Sequence, residues 1–225
     1  MSSQKQMMDL KPVKSVSAGV SDEHQRNWSD ELFSRKAKHP DHNYDRSRTA
    51  LNFQMGPGGK IFPVDKSRRI GDKVEEIIAN RLNQGARVTK ISNRAISVIF
   101  GGNRERMREM AFGSQVLNEH EETNSHLIRQ PEVERWAKDV YGFVCQEFGE
   151  ANIASFIIHL DEMNPHAHCV FVPITADGRL CAKEVIGGMN KSEAQRHMRA
   201  LHSRLAEVNR KYGLDRGDDI RETGA

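Results

Sequence analysis

Residues 151–175 read ANIASFIIHLDEMNPHAHCVFVPIT. Two apolar runs rich in β-branched residues, 151–160 and 166–175, flank the polar stretch 161–165. Apolar runs of this length are typical of buried strands, and the polar residues between them are typical of a short connection. The sequence therefore predicts an antiparallel β-hairpin at this point of the chain.

Three histidines lie near the tip of this hairpin. His166 and His168 share one face of their strand, because successive side chains of a strand point in opposite directions. His159, at the end of the other strand, comes alongside them when the hairpin closes. Three neutral imidazoles that leave coordination positions open are typical of a catalytic divalent metal site. Asp161 and Glu162 are placed to orient the imidazoles or to add negative charge at the metal. The same spacing also suits a zinc hydrolase.

Hydrophobic periodicity predicts further helices and strands outside the hairpin. The predicted elements are a strand over 10–20, a helix from Asp72 that ends before Gly85, a strand over 95–100, a helix over 131–149 and a helix over 190–212. Residues 21–52 are polar and are expected to be mostly loop with some helix. Locally paired strands separated by helices of different lengths predict an α+β fold, an antiparallel β-sheet with helices packed on one face.

The composition, with 37% hydrophobic and 29% charged residues, is typical of a soluble globular protein. The chain has no apolar stretch near the about 20 residues of a membrane span, and residues 1–10 lack the apolar centre of a secretory signal. We therefore expect no membrane insertion and a cytoplasmic location. The three cysteines, Cys145, Cys169 and Cys181, form no CxxC pair and are expected to be small core side chains.

Positive charge is concentrated in the first half of the chain. Residues 1–108 hold 21 Lys and Arg against 12 Asp and Glu, whereas residues 109–225 hold 13 against 19. This asymmetry favours an anionic partner, nucleic acid above all, although a solvated basic surface has the same composition. The best candidates for phosphate contacts are Arg46, Arg48, Lys66, Arg68 and Arg69.

The hairpin sequence HLDEMNPHAH, residues 159–168, resembles the third motif of the MobV (Mob/Pre, plasmid mobilisation and recombination) relaxases. Its HAH, residues 166–168, is similar to the signature of the wider HUH endonuclease class. Residues 45–53, DRSRTALNF, resemble the second motif of the family. The resemblance implies an HUH-type, palm-like relaxase domain over residues 1–217. It also implies a disordered tail over 218–225, followed by a C-terminal region that this sequence lacks.

The resemblance further implies a metal-dependent transesterification. One strand of a plasmid origin of transfer is nicked and later rejoined, through a covalent bond between the protein and the 5′ phosphate. His159, His166 and His168 would hold the metal, with Mn favoured and Mg, Ni, Co or Zn as alternatives. Glu162 would take part in catalysis, and Asp161 would support the ligands.

The partners implied by the resemblance are single-stranded or hairpin origin DNA and, through the C-terminal region, the conjugation coupling machinery. The second motif adds Asn52 to the expected DNA contacts. The setting would be the cytoplasm of a bacterium that carries the mobile element.

The nucleophile is less sharply defined. MobV relaxases resemble one another in a His-x-x-Arg first motif whose histidine attacks the phosphate. His24 and Arg26 match this motif, except that one residue rather than two separates the histidine from the arginine. Related relaxases attack with an N-terminal tyrosine, for which Tyr44 is the candidate. Replication initiators use a tyrosine on a helix after the HUH pair, for which Tyr212 is the candidate. The remaining alternatives are His39 and His42.

Three other functions share these residues and stay open on the sequence alone. A replication initiator or transposase of the HUH class would depend on Tyr212. A non-catalytic DNA-binding module with a structural metal would bind hairpin DNA without cleaving it. A metal-dependent hydrolase of small molecules would have no affinity for single-stranded DNA.

Overall fold

A computed structural model describes residues 4–37, 44–118, 123–188 and 190–217. Within these residues, six strands form one antiparallel sheet. They are β1 (Gln6–Val13), β2 (Phe53–Gly56), β3 (Lys60–Phe62), β4 (Ala95–Gly102), β5 (Ile153–His159) and β6 (His166–Phe171). Their order across the sheet is β1-β4-β6-β5-β2-β3, so the β5–β6 hairpin lies in the middle.

The α-helices lie between strands along the chain, except that the last two follow β6. They are α1 (Ala18–His24), α2 (Asp30–Ala37), α3 (Ile70–Arg81), α4 (Arg104–Phe112), α5 (Pro131–Phe148), α6 (Ala182–Ile186) and α7 (Lys191–Asn209). A short 3-10 helix, Arg46–Leu51, precedes β2. Among the described residues, none of these helices has the length and apolar character needed to cross a membrane.

The main hydrophobic core lies between one face of the sheet and the helices α4, α5 and α7. Trp136 of α5 is fully buried there, and its indole N–H donates to the amide oxygen of Asn209, 3.1 Å away, at the end of α7. Phe148 of α5 stacks on Phe171 of β6 with ring centroids 4.2 Å apart. Each such large apolar side chain contributes about 1.5–3 kcal/mol when fully buried.

A second, smaller core lies on the opposite face of the sheet. There α3 packs on the far ends of β5 and β6 through apolar side chains, which are Ile70, Val74, Ile78, Ala154, Ile157, Val170 and Val172. The predicted α+β fold with its antiparallel sheet is confirmed, and the structure adds that α3 covers part of the second face. The near ends of β5 and β6, which carry the histidines, lie on this same face beyond α3.

Several element boundaries differ from the sequence predictions. The first strand ends at Val13 rather than at residue 20, because α1 begins at Ala18 with the Ser17 hydroxyl as its cap, accepting from the Val20 N–H at 3.2 Å. The cap of α3 is Arg69 rather than Asp72, which lies in the first turn. The predicted tail over 218–225 lies outside the described residues.

Candidate metal centre and active site

The register of the β5–β6 hairpin brings its three histidines together. His159 pairs directly with His166 across the hairpin, and His168 lies two positions further along β6 on the same face. The ring centroids of His159 lie 5.4 Å from His166 and 4.8 Å from His168, and those of His166 and His168 are 4.6 Å apart. All three rings therefore meet at the end of the sheet.

Two backbone carbonyls orient two of these imidazoles. The Nδ1–H of His166 donates to the carbonyl oxygen of Asn164 at 2.8 Å, and the Nε2–H of His159 donates to the carbonyl oxygen of His24 at 2.7 Å. Because a carbonyl only accepts, the other nitrogen of each neutral ring carries a lone pair. Hydrogen bonds of this kind typically fix the tautomer and ring orientation of metal-binding histidines.

Glu162 completes a four-residue donor cluster. One ligand atom each from His159, Glu162, His166 and His168 lies within 4.8 Å of the others. The lone pair of His159 Nδ1 faces Glu162 Oε1 at 3.4 Å, so two acceptors face one another when the ring is neutral. A bound cation satisfies such an arrangement, and a set of three nitrogens and one carboxylate fits a divalent transition metal.

Burial keeps the imidazoles of His166 and His168 neutral. It lowers the pKa of His166 and lowers that of His168 further, and the neighbouring rings of His24 and His159 add to the effect on His168. Burial opposes ionisation of Glu162, yet its close contacts with His159, His166 and Arg26 hold the pKa of its carboxyl well below the usual range. The cluster thus presents neutral nitrogen donors at His166 and His168 and a carboxylate at Glu162.

His24 ends α1 beside this cluster. Its ring lies 4.1 Å from that of His168 and 6.3 Å from that of His159. Burial, followed by the charges of His159 and Arg26, lowers its pKa to about 3. Its Nδ1 has no hydrogen-bond partner among the described residues. His24 is therefore a neutral imidazole with a free nitrogen next to the metal-ligand candidates.

Arg26 joins the end of α1 to the hairpin tip. Its φ of 50° places it in the left-handed region, and its side chain turns inward until only 4% of the residue is exposed. The guanidinium donates to both carboxylate oxygens of Asp161, at 2.9 and 3.0 Å, and to Glu162 at 2.5 Å. Asp161, predicted to support the ligands, thus binds Arg26 rather than an imidazole, and Arg26 fixes α1 against the tip.

Tyr44 lies close to the cluster but is less suited to attack. The Arg26 guanidinium lies 4.5 Å from its ring centroid, and its hydroxyl donates to Glu23 Oε1 at 3.3 Å. Burial, together with the negative charges of Glu162 and Glu23, raises the pKa of the phenol. Tyr212 belongs to the main core on the opposite face of the sheet, where its hydroxyl donates to Asp139. His39 and His42 lie outside the described residues.

Two residues predicted to contact DNA instead hold the site together. Arg48 is buried, and its guanidinium donates to the carbonyl oxygen of Leu160 at 2.6 Å and to Asp45 at 2.8 Å. Asn52 is also buried, and its side-chain oxygen accepts from the Leu160 N–H at 2.7 Å. The prediction that these two residues contact DNA does not fit their positions, because each attaches the second motif to the end of β5.

The other four predicted DNA contacts lie at the surface. Arg46 pairs with Asp30, Arg68 with Glu76 at 2.8 Å, and Arg69 with Asp22 at 3.7 Å. Lys66 Nζ donates to the carbonyl oxygen of Arg26 at 3.0 Å. Exposed ion pairs of this kind are weak, so the three arginines stay available to phosphates.

Sequence reasoning missed two contributors to the site. Asn164 acts through its backbone carbonyl, which side-chain patterns do not report. Thr49 donates its hydroxyl to Asp161 at 3.2 Å. The position of Thr49 within the second motif is the sequence signal that could have indicated its role.

The sheet and its histidine cluster together define an HUH-type fold. The chain belongs to the Mob_Pre family, described as plasmid recombination enzyme, which it matches over residues 33–224. The matched range includes the three hairpin histidines and Glu162, and it begins after His24 and Arg26.

Curated relatives agree with this family over part of the chain. Plasmid recombination enzyme type 1 of Staphylococcus aureus is 46% identical over 88 residues, which is 38% of this chain and 20% of that protein. A plasmid recombination enzyme of Bacillus thuringiensis is 33% identical over 82 residues, 35% of this chain and 18% of that protein. The aligned part therefore spans about one fifth of the length of these relatives.

Solved structures share the fold. The MobM relaxase domain (MOBV; Mob_Pre), bound to 22 nucleotides of plasmid pMV158 oriT DNA in a Mn-bound crystal structure, superposes with a TM-score of 0.68 at 16% identity. The match covers 95% of this chain and 91% of that one. A second Mn-bound crystal structure of that complex gives 0.67 at 15% identity and covers 98% of each chain.

Proposed function

We propose that this chain is the nicking domain of a metal-dependent relaxase that cleaves and rejoins one DNA strand at a plasmid origin of transfer, through a covalent 5′-phosphate intermediate. The observation that carries the proposal is the convergence of three hairpin histidines with a fourth, His24, whose ring lies 4.1 Å from that of His168. Membership of the plasmid recombination enzyme family supports the reaction class. The oriT DNA bound to the MobM relaxase domain supports the substrate.

The metal would be held by His159, His166 and His168, with Glu162 as a fourth donor. Mn is favoured, because the structurally similar MobM domains are Mn-bound and because three imidazoles suit a transition metal better than Mg. When bound, the ion acts as a Lewis acid that polarises the scissile phosphodiester and stabilises the charge that grows on its oxygens.

His24 is the proposed nucleophile. Its neutral ring offers a nitrogen lone pair at the edge of the donor cluster, so no proton has to leave the attacking nitrogen first. Attack forms a nitrogen–phosphorus bond and breaks the phosphorus–O3′ bond, and the released O3′ takes up a proton. The 3′ hydroxyl can later attack the same phosphorus, which restores the strand and frees His24.

Arg26 and Asp161 act as positioning residues in this scheme. Their buried pair fixes the end of α1, and with it His24, against the hairpin that carries the ligand candidates. The carbonyl of His24 in turn accepts from His159, so the nucleophile and one ligand candidate share a hydrogen bond. Preorganisation of this kind keeps reacting groups in place without a further cost at the moment of reaction.

The test is covalent capture from a pool of random-sequence single strands labelled at the 3′ end, with Mn²⁺ present. A 5′-phosphate intermediate keeps the 3′ fragment on the protein, so we expect a labelled adduct that chelation with EDTA prevents. Because the phosphorus–nitrogen bond is acid-labile, the adduct should be lost on brief acid treatment and should be absent in His24→Ala.

An acid-stable adduct that disappears in Tyr44→Phe would move the nucleophile to Tyr44 and keep the reaction class. Binding of single strands with no adduct in any metal would replace the relaxase by a non-catalytic DNA-binding module. Absence of any affinity for single strands would favour a hydrolase of small molecules.

A further inference from the structure

The position of the His24 ring depends on the backbone around it. Its Nδ1 has no hydrogen-bond partner among the described residues, and the ring packs 4.1 Å from that of His168. His24 is also the last residue of α1, a helix of seven residues. Because the ends of short helices open easily, the ring keeps its place only if the backbone after the helix is fixed.

Gln25, directly after His24, fixes this backbone through its side chain. The residue is 2% exposed, and its amide donates to the carbonyl oxygen of Asp65 at 2.5 Å and to that of Arg68 at 2.7 Å. Both hydrogens of the amide nitrogen are used in this way. The end of α1 is therefore attached to segment 65–68, which follows β3.

Segment 65–68 is itself a firm support. Ser67 donates to one carboxylate oxygen of Asp65 from its N–H at 2.9 Å and from its hydroxyl at 2.6 Å. Lys73 of α3 donates to the other oxygen at 2.7 Å. The Asp65 N–H donates to the side-chain oxygen of Gln54 on β2 at 3.0 Å. The segment is thus tied to both α3 and the sheet.

We propose that Gln25 is a positioning residue for His24, which keeps the attacking nitrogen in place beside the donor cluster. A misplacement of about 1 Å far from the reacting atoms can lower a rate by about 100-fold. Loss of the two amide hydrogen bonds should therefore act on the rate of attack rather than on the binding of metal or DNA. This inference rests on the proposed function of His24 and adds a residue to it.

The same segment links the nucleophile to the surface on which DNA is expected. Lys66 donates to the carbonyl oxygen of Arg26 at 3.0 Å, so both residues that follow His24 are held by segment 65–68. The segment also carries Arg68, whose side chain is 49% exposed. A strand that contacts Arg68 is thereby placed in a fixed position relative to His24.

The experiment removes the two donors with Gln25→Met, which keeps the length of the side chain. Single-turnover capture of the 3′-labelled pool, with protein in excess and Mn²⁺ saturating, gives two quantities. They are the maximal rate of adduct formation and the protein concentration that gives half of this rate. We expect the maximal rate to fall by about 10- to 100-fold, and the half-rate concentration and the Mn²⁺ affinity to stay within about threefold.

Gln115→Met is the matched control. The Gln115 amide also donates to two carbonyl oxygens, those of Phe112 and Ile128 at 2.7 and 2.8 Å, but it lies in the connection between α4 and α5. This variant should keep the maximal rate of the unmodified chain.

Lys73→Met tests the contact from its other side, because it releases Asp65 from α3. It should lower the maximal rate by a smaller factor than Gln25→Met. The double variant should lose no more than Gln25→Met alone, since both changes act through one contact. Lys73→Met also decides the case if thermal melting shows that Gln25→Met is unfolded.

Reaction of His24 with diethyl pyrocarbonate, mapped by mass spectrometry without DNA or metal, reports the position of the ring independently of catalysis. Because His24 is 6% exposed, its modification should be slow in the unmodified chain. We expect the modification to be about fivefold faster or more in Gln25→Met and unchanged in Gln115→Met.

An unchanged maximal rate in folded Gln25→Met, or an equal loss in Gln115→Met, would overturn the inference and keep the relaxase. A loss of Mn²⁺ affinity that accounts for the whole effect would overturn it as well. If the unmodified chain forms no adduct, the relaxase is rejected and the modification of His24 decides. Faster modification in Gln25→Met would then support the positioning contact, and equal modification would reject it.

Discussion

His24, His166 and His168 share a property that decides what they can do. Burial lowers the pKa of each ring, so each is neutral at physiological pH. A neutral imidazole offers a lone pair, which is what both a metal ligand and a nucleophile require. The division of roles then follows from position, because His166 and His168 lie on one strand of the hairpin and His24 on a separate helix.

Replacing either His166 or His168 with Ala removes one donor from the centre of the cluster. We expect Mn²⁺ affinity to fall by about 100-fold or more, since even supporting residues of metal sites contribute about 10- to 100-fold. Titration calorimetry measures the change. His126→Ala, on an exposed loop, is the matched control and should bind Mn²⁺ like the unmodified chain. Unchanged Mn²⁺ affinity in both cluster variants would contradict the assignment of these histidines as metal ligands.

Asp161 stabilises the site by compensating a buried charge. Its side chain is fully buried against Arg26, whose side chain is 2% exposed. Losing one partner of a buried ion pair typically costs about 3–5 kcal/mol, and because Glu162 still pairs with Arg26 in Asp161→Asn, we expect a loss at the low end of that range. Urea unfolding should show this loss.

Asp30→Asn is the control for the Asp161 variant. It breaks the exposed pair between Asp30 and Arg46 and should change the free energy of unfolding by less than about 1 kcal/mol. A loss as small in Asp161→Asn would mean that Glu162 alone compensates the buried charge of Arg26.

At the scale of elements, the sequence predicts best where periodicity is local. Strand β5 and helix α5 lie within about two residues of their predicted positions, whereas β6 begins at His166 as predicted but ends at Phe171, four residues early. Strand alternation placed His166 and His168 on one face. The second motif behaves differently. Its 3-10 helix, Arg46–Leu51, is held by Arg48, which reaches the carbonyl of Leu160, 112 positions away. Contacts at that separation leave no periodic signal.

Asp45 caps this 3-10 helix and makes its stability depend on pH. Burial raises the pKa of its carboxyl, but hydrogen bonds from Ser47, Arg48 and Asn124 outweigh burial, so the pKa is lowered in the folded state. Its stabilisation is therefore present above the unfolded pKa of about 3.9, and it is lost as pH falls through the lower folded pKa.

Asp45→Asn should accordingly lower the free energy of unfolding by about 1–2 kcal/mol at pH 7, and this difference should shrink as pH falls below about 4. Urea unfolding at a series of pH values gives both quantities. Glu207→Gln, on an exposed part of α7, serves as the control and should show no such trend. A difference that is constant with pH would show that the carboxylate charge is not involved.

For the whole molecule, the charge asymmetry along the chain does not become two separate lobes. The two strands of the acidic second half, β5 and β6, lie in the middle of the sheet between strands of the basic first half, where β4 pairs with β6 and β2 with β5. The sequence could predict the excess of positive charge but not its distribution on the surface. The fold decides that Arg48 is buried while Arg46, Arg68 and Arg69 remain exposed.

These three exposed arginines give the last prediction, which concerns the salt dependence of DNA binding. Each pairs with a carboxylate at the surface, and such pairs are weak enough for a phosphate to compete. Each phosphate contact on a single strand contributes about 0.7 to the slope of log K against log salt, so the variant with all three changed to Ala should lose about 2 from that slope.

Fluorescence anisotropy with labelled dT12 at several salt concentrations measures the slope. The control changes Arg204, Arg210 and Lys211 to Ala, which removes the same charge from the end of α7 and the turn that follows it. This helix packs on the opposite face of the sheet. If the strand crosses the face that carries the histidines, only the first variant flattens the slope, because phosphates contact the cations on that face. Equal flattening in both variants would show that binding depends on total charge and that this face has no special role.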